Sequence, residues 1–393
     1  MTVSLALIIL LGLFSDYLFR KLRLPGLIGM LFTGILLGPY VFNLIDPVLM
    51  KVSSDFRMIA LIVILLRAGL ATKRDTLNRV GKTAILMGFL PAVFEGAVIT
   101  LVTAFFFKMS ILESALLGFI IAAVSPAVVV PAMLKFIEDN KGTKKGIPTL
   151  LLVSSSLDNV FAIVVFSALI SLFEGKGGNI FLRLLEIPIS LVSGIALGAA
   201  AGFMLYWVFR KYQPRATKKG MIVIGTAILL TWLEKFLKPF IPVSALSGVM
   251  TIGFILLEKS EPIAHKVSQK LGKIWVFAEI ILFVLVGAQV NIHVAGDAGL
   301  SGIAIILIGL AARSIGVYIS LLRTDFVLRE KLFCIVSYIP KATVQAAIGA
   351  VPLAVGVKGG EVILAVAVLS VLFTAPIGAM AMNVVGKKFL KET

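Results

Sequence analysis

Apolar stretches of helical length, separated by short polar segments, occupy almost the whole of this 393-residue chain. A helix that crosses the hydrocarbon core of a bilayer needs about 20 predominantly apolar residues. The pattern therefore predicts an all-α polytopic membrane protein with about thirteen transmembrane helices. The predicted spans are residues 2–18, 26–44, 57–72, 83–107, 112–134, 148–173, 187–209, 219–236, 241–257, 274–290, 299–322, 332–356 and 361–386.

Composition agrees with this pattern, and the distribution of charge gives it a direction. Hydrophobic residues make up 59% of the chain and charged residues 15%. Most of the 37 Lys and Arg residues fall in loops that follow odd-numbered spans, and loops rich in Lys and Arg stay in the cytoplasm. We expect a multi-pass protein of the cell membrane, with its N-terminus outside and its C-terminus in the cytoplasm. Topology explains the net charge of +17, so no nucleic-acid partner is expected.

An internal repeat becomes visible when the chain is shifted by 218 residues. This shift places Gly69 on Gly287, Glu95 on Arg313 and Ser125 on Thr343. Equivalent spans differ by seven in number, and since seven is odd the two copies would cross the membrane in opposite directions. Inverted repeats of this kind are typical of secondary transporters.

Two of the predicted spans contain prolines at repeat-equivalent places. Pro126 and Pro131 lie in the run IAAVSPAVVVP, and Pro340 precedes Lys341 in the other copy. Proline removes a backbone donor and clashes with the preceding turn, so we expect helix breaks at these three positions. Two breaks that cross in the bilayer would expose backbone groups and helix ends to a polar centre. Packing kinks are the alternative interpretation.

A carboxylate lies in the middle of another span. Asp158 and Asn159 interrupt the run LLVSSSLDNVFAIVVF, and ionisable groups at bilayer depth usually mark an ion or proton pathway. Ser154 precedes Asp158 by four residues, so both share one helical face. Oxygen donors of this kind suit a small hydrated cation. Lys341 is expected to be the counter-charge of Asp158, either within a transport cycle or in a structural ion pair.

Other buried charges have more structural interpretations. Glu95 and Arg313 are expected to form an ion pair that joins the two repeats, with a gate as the functional alternative. Arg67 is expected to extend to the membrane interface, and Glu279 to be an interfacial or pH-sensing carboxylate.

Enzymatic and metal-dependent classes find no support in the sequence. A phosphate-binding glycine loop, a nucleophile elbow and metal-ligand spacing are all absent, so no cofactor is expected. His265 and His293 lie in separate predicted loops, and the single Cys334 excludes an intramolecular disulfide.

The segments AAVSPAVVVPAM, KGIPTLLLVSSSLDN and IPKATVQAAIGAVPL resemble the NHA-type sodium/proton antiporters of the cation:proton antiporter superfamily. The resemblance extends from RKLRLPGLIGMLFTGILLGP to the last span. It implies thirteen helices, a homodimer and an elevator-like movement. Spans 1–3 and 8–10 (about 2–72 and 219–290) would form a dimerisation scaffold, spans 4–6 and 11–13 (about 83–173 and 299–386) an ion-transporting core, and residues 187–209 a linking helix.

The resemblance also implies roles for individual residues. Asp158 matches the first of two family aspartates, Lys341 the lysine that pairs with it, and Glu95 with Arg313 a family ion pair. The second aspartate, which is the main ion-binding carboxylate of the family, is replaced by Asn159. An amide can ligate a cation but does not exchange a proton.

Two main hypotheses follow. In the first, the protein exchanges Na⁺ or Li⁺ for H⁺ across a lipid bilayer, Asp158 is the exchanging group, and Asn159, Ser154, Ser125 and Thr343 are neutral ligands. In the second, Asn159 makes the protein a transport-impaired variant or a non-exchanging relative. Transport of another solute such as an organic anion is a third possibility, against which Asp158 argues.

Overall fold

The computed structural model describes residues 1–22, 24–173, 180–237, 240–290 and 292–390, and its regular elements are all α-helices. The first nine are α1 (Thr2–Lys21), α2 (Gly26–Leu37), α3 (Pro47–Lys51), α4 (Ser53–Ala71), α5 (Arg74–Met87), α6 (Leu90–Phe106), α7 (Ile111–Ile121), α8 (Pro126–Glu138) and α9 (Ile147–Phe173). The others are α10 (Ile180–Tyr212), α11 (Ala216–Leu237), α12 (Ala245–Lys259), α13 (Glu261–Ala288), α14 (Ile292–Ser320), α15 (Leu328–Ser337), α16 (Thr343–Ile348), α17 (Val351–Ala354) and α18 (Gly360–Phe389).

The predicted all-α membrane fold is confirmed. Within the described ranges, nine helical segments are long and apolar enough to cross a membrane, and Gly26–Leu37 and Thr343–Ala354 are shorter apolar segments. The count of thirteen spans remains a prediction. The side chain of His293, one of the two histidines considered above, lies outside the described residues.

Several predicted spans are divided more finely than the hydrophobic pattern shows. Span 83–107 corresponds to the end of α5 and all of α6, which are separated at Phe89 (φ −138°, ψ −37°). Span 332–356 comprises the end of α15 and all of α16 and α17. Hydrophobicity alone does not locate these boundaries, because apolar side chains continue through the turns.

The helices pack in two groups. In the first, α4 packs against α12 and α13, α2 packs against α1 and α13, and α10 packs against α12. In the second, α6 packs against α7 and α14, α9 packs against α5, α7 and α8, and α18 packs against α14 and α15. Contacts of α4 with α8 and of α10 with α9 join the two groups.

Glycines in the first group show the repeat at atomic detail. A Cβ on Gly34 would lie 2.1 Å from the carbonyl oxygen of Val284, and one on Gly253 would lie 2.6 Å from that of Leu66. Val284 and Leu66 are 218 residues apart, which is the shift found in the sequence, and Gly34 and Gly253 are 219 residues apart, one residue more. In membranes, small residues let helix backbones approach closely. The α2–α13 and α4–α12 contacts are therefore two copies of one packing arrangement.

Candidate ion-binding site

Two interrupted helices meet at the centre of the second group. Residues 122–125 separate α7 from α8, and residues 338–342 separate α15 from α16. The backbone N–H of Ser125 donates a hydrogen bond to the carbonyl oxygen of Pro340 (2.9 Å). The predicted breaks at Pro126 and Pro340 therefore exist, and they are bonded to each other.

The predicted break at Pro131 is wrong. Pro126 begins α8 at its first helical position, where no intrahelical N–H is needed. Pro131 lies inside α8, which continues to Glu138. Membrane helices tolerate an internal proline because neighbouring groups satisfy or shield the freed carbonyl. The broken segment is thus confined to the four residues before Pro126.

Asp158, on α9, is fully buried beside this first break. Its Oδ2 accepts a hydrogen bond from the backbone N–H of Val124 (2.8 Å). The Nη2 of Arg313 donates to both carboxylate oxygens, each at 2.9 Å. Charge-assisted contacts of this kind stabilise a carboxylate that is removed from water.

Arg313, on α14, connects both breaks and both buried acids. Its Nη1 donates to Glu95 Oε2 (2.8 Å) and to the carbonyl oxygen of Ala122. Its Nε donates to the carbonyl oxygen of Tyr338 (2.9 Å). The predicted Glu95–Arg313 ion pair is present, and only the planar fork of an arginine could serve so many acceptors at once.

Lys341 does not form the predicted direct pair with Asp158. Its Nζ lies 2.6 Å from Glu95 Oε2, while its backbone N–H donates to Thr374 Oγ1 (2.9 Å). Arg313 occupies the carboxylate of Asp158, and this leaves Glu95 to hold the ammonium group. The four charged side chains therefore form one network of contacts in which positive and negative groups alternate, in the order Lys341, Glu95, Arg313, Asp158.

Several buried neutral oxygens lie near these four charges, and most of them have no hydrogen-bond partner among the described residues. Ser125, Ser154, Asn159 and Thr343 are all buried. Within the described part of the chain, Ser125 Oγ, Thr343 Oγ1 and Asn159 Oδ1 have no hydrogen-bond partner, and Ser154 Oγ lies close to the hydroxyl of Tyr338. Most buried polar atoms in proteins are hydrogen-bonded. Unpartnered oxygens on α9 and at the first turns of α8 and α16 fit a site for a hard cation.

Sequence reasoning missed Gln345 and Tyr338. Gln345 Nε2 donates to the carbonyl oxygens of Ile120, Ile121 and Ala123 at 2.9, 3.3 and 2.8 Å. The hydroxyl of Tyr338 donates to the carbonyl oxygen of Met87 (3.1 Å), and its ring lies under the Arg313 guanidinium. A polar residue three positions after the break, in the run KATVQ, was the available signal for Gln345.

One cavity lies between the two helix groups beside α8. We call this cavity of about 470 Å³ the Arg67 cavity, since Arg67, Glu279, Pro131 and Glu138 line it. Arg67 Nη2 lies 3.5 Å from Glu138 Oε1. Arg67 thus joins the two groups and faces this cavity, rather than extending to the lipid interface as expected.

A second cavity, beside α16, has a volume of about 350 Å³. We call it the Arg57 cavity, since Arg57, Gln289 and Gln345 line it. Asp158 borders neither the Arg57 nor the Arg67 cavity. The carboxylate is therefore enclosed, with a cavity against each of the two broken helices.

Comparisons with known proteins bear on the family and the fold of this chain. The family described as "Sodium/hydrogen exchanger, transmembrane" matches residues 5–387. Sodium/hydrogen exchanger 9B2 of Mus musculus is 32% identical over 385 residues, covering 94% of this chain and 69% of that protein. Sodium/hydrogen exchanger 9B1 of Homo sapiens is 32% identical over 384 residues, covering 93% and 73%. The solved structure of the sodium proton antiporter MjNhaP1 from Methanocaldococcus jannaschii at pH 8 has a TM-score of 0.80 at 19% identity, covering 98% of this chain and 97% of that one. The last likeness concerns the fold.

Proposed function

Because this chain belongs to the family of transmembrane sodium/hydrogen exchangers, we propose that it exchanges Na⁺, or Li⁺, for H⁺ across a cell membrane. One observation carries the proposal. Asp158 is a fully buried carboxylate at the junction of two broken helices. Buried neutral oxygens of Ser125, Ser154, Asn159 and Thr343 lie around this junction, and those of Ser125, Asn159 and Thr343 have no hydrogen-bond partner among the described residues. A carboxylate so placed takes either a proton or a dehydrated cation.

The charges of the site set the coupling. Lys341, Glu95, Arg313 and Asp158 carry two positive and two negative charges that cancel when all four are ionised. Arginine stays protonated in proteins, so Arg313 cannot be the proton carrier. Asp158 can accept a proton or share its oxygens with a cation while Arg313 keeps its bond to Glu95. Either event adds one positive charge to the cluster.

Asn159 determines the stoichiometry in this scheme. Its carbonyl oxygen can ligate the cation, but its amide carries no exchangeable proton in the physiological range. With Asp158 as the single exchanging carboxylate, one Na⁺ replaces one H⁺, and the exchange is electroneutral unless Lys341 also releases its proton. Lys341 acts through Glu95 in this arrangement, since it does not contact Asp158.

Alternating access would use the boundary between the two helix groups. The group of α5–α9 and α14–α18 would move, as in an elevator, against a scaffold of α1–α4 and α11–α13, with α10 as the linking helix. The Arg57 and Arg67 cavities lie on this boundary and would open in turn. In the predicted topology the Arg57 cavity is extracellular and the C-terminus is cytoplasmic. The scaffold would form a homodimer.

Proteoliposomes with an imposed pH gradient test this function. Addition of Na⁺ should dissipate the gradient in the wild type and not in Asp158→Asn, which keeps the shape of the side chain. The exposed Asp75 on α5 offers the same chemical change as a control, and Asp75→Asn should exchange normally. Absence of cation-dependent proton movement at every pH from about 6 to 9 contradicts the proposal. Exchange that appears only in Asn159→Asp would instead identify a non-exchanging relative.

A further inference from the structure

Gln345, on α16, has a buried side-chain amide whose NH₂ group and oxygen lie in different surroundings. Its exposed fraction is 2%. Its Nε2 faces the carbonyl oxygens of Ile120, Ile121 and Ala123, at the end of α7 and in the first break. These acceptors fix which way the amide points, because an NH₂ group donates and an amide oxygen only accepts. Gln345 Oε1 has no hydrogen-bond partner among the described residues.

The bond to Ala123 connects Gln345 to Asp158 through one peptide group. The carbonyl of Ala123 and the N–H of Val124 belong to the same peptide. That carbonyl accepts from Gln345 Nε2 (2.8 Å), and that N–H donates to Asp158 Oδ2 (2.8 Å). Hydrogen bonds in such a chain polarise one another. The Gln345 donor therefore strengthens the backbone bond that stabilises the charged form of Asp158.

Gln345 borders the Arg57 cavity, whereas Asp158 does not. Gln345 lines the cavity together with Gln289, which directly follows α13. Gln345 Oε1 is buried behind the lining of this cavity and has no hydrogen-bond partner among the described residues. A cation that passes inward from the cavity would therefore meet this oxygen, and the same amide is bonded to the peptide that holds the carboxylate.

We propose that Gln345 is a cation ligand at the inner end of the Arg57 cavity and a positioning residue for Asp158. The inference rests on the proposed exchange at Asp158 and adds a residue to that site. A cation on Oε1 withdraws electron density from the amide, which makes Nε2–H a stronger donor to the 123–124 peptide. Cation entry and the charged form of Asp158 thus favour each other, whereas a proton on Asp158 weakens the chain.

Two measurements on the purified full-length protein test this inference. The first is the Na⁺ concentration that gives half of the maximal thermal stabilisation in detergent, with choline chloride keeping the ionic strength constant. The second is the pH profile of exchange in proteoliposomes. Gln345→Met, which keeps length and removes both polar ends, should raise the half-stabilising Na⁺ concentration about tenfold. It should also move the acidic limb of the exchange profile to higher pH, because Asp158 loses support for its charged form.

A matched control comes from the same cavity. Gln289 donates to Ser53 Oγ (3.0 Å) and has no hydrogen bond to either break among the described residues. Gln289→Met should therefore change the half-stabilising Na⁺ concentration less than about twofold and leave the pH profile in place. Gln345→Glu provides a second variant if Gln345→Met folds poorly. It keeps an oxygen for the cation, adds a negative charge and loses the donor, so its half-stabilising Na⁺ concentration above about pH 8 should not exceed the wild-type value while its exchange profile moves.

The outcomes separate this inference from the proposed function. If the wild type is stabilised by Na⁺ but does not exchange, exchange is refuted and the stabilisation data still decide the role of Gln345. A wild type that Na⁺ does not stabilise overturns the ligand role. So does a Gln345→Met protein with a lower maximal rate but unchanged Na⁺ dependence and pH profile, since that result describes a purely structural clamp.

Discussion

Glu95 and Arg313 are 218 residues apart in sequence, and Glu95 Oε2 lies 2.8 Å from Arg313 Nη1. The same shift aligns the two copies of the predicted repeat in sequence, so equivalent positions of α6 and α14 meet in one bond. The two positions carry opposite charges. Arg313 then continues to Asp158, and Glu95 to Lys341. A structural contact between repeats is thereby connected to the candidate ion site.

Removing Glu95 should destabilise the fold strongly. Glu95→Gln leaves Lys341 and Arg313 in a buried site with a single remaining acid, and breaking one partner of a buried ion pair costs about 3–5 kcal/mol. We expect a large fall in the thermal unfolding midpoint in detergent. Glu138→Gln removes an exposed carboxylate from its 3.5 Å contact with Arg67 and should cost at most about 1 kcal/mol. Equal effects of the two substitutions would contradict the buried network.

The repeated glycine contacts should be intolerant of a single methyl group. Gly34→Ala and Gly253→Ala would each place Cβ against a backbone carbonyl of the facing helix, at 2.1 and 2.6 Å. Backbone cannot move aside as a flexible side chain does, so each substitution should cost about 1–3 kcal/mol. Gly225→Ala on α11 meets no atom within 4 Å and should be neutral or slightly stabilising. Thermal unfolding of the three variants in one detergent compares them, and a stable Gly34→Ala protein would refute this close packing.

The sequence predicted those features that depend on spacing and residue chemistry. Hydrophobic runs indicated the membrane fold, the 218-residue shift paired Glu95 with Arg313, and Pro126 and Pro340 located two breaks. Each of these features follows from a local preference of the residue or from residue spacing along the sequence. The resemblance to the cation:proton antiporters pointed to the same residues.

Features that depend on side-chain direction were not predictable in this way. Pro131 has the same intrinsic conflict with a helix as Pro126, and its position inside α8 depends on neighbours in space. Lys341 was assigned to Asp158 because both charges lie at bilayer depth. Lys341 instead pairs with Glu95, because Arg313 extends to Asp158. Residue spacing does not show how far a side chain extends. The role of Gln345 depends on where the first break lies in space relative to α16.

Arg57 should lower the affinity for cations that approach through its cavity. It is buried in α4, its Nε donates to the carbonyl oxygen of Ser53 (3.3 Å), and no carboxylate pairs with it in the described ranges. A like charge in the lining of the cavity disfavours cation entry. Arg57→Gln should therefore reduce the Na⁺ concentration for half-maximal exchange by about two- to fivefold at low ionic strength, and less at about 0.5 M salt.

The comparison between salt conditions is the control for that prediction. A change in affinity that is independent of ionic strength would indicate altered packing of α4 instead of a removed charge. Lys51→Gln, on the short helix α3, removes a basic residue that does not line the Arg57 cavity. It should leave the Na⁺ dependence of exchange unchanged.

Asn159→Asp should convert electroneutral exchange into electrogenic exchange. The four ionised groups of the site cancel, so a fifth charge of −1 requires a further proton or cation for neutrality. The cluster would then carry a different number of charges in its proton-loaded and cation-loaded forms, and one elementary charge moved across 100 mV corresponds to about 2.3 kcal/mol. In proteoliposomes whose potential is clamped with potassium and valinomycin, the Na⁺ gradient that balances a fixed pH gradient should depend on voltage in Asn159→Asp and not in the wild type. Asn78→Asp makes the same change at an exposed position of α5 and should remain voltage-independent. Voltage dependence in the wild type would show that Lys341 or Glu95 releases a proton during the cycle, and that Asp158 is not the single exchanging group.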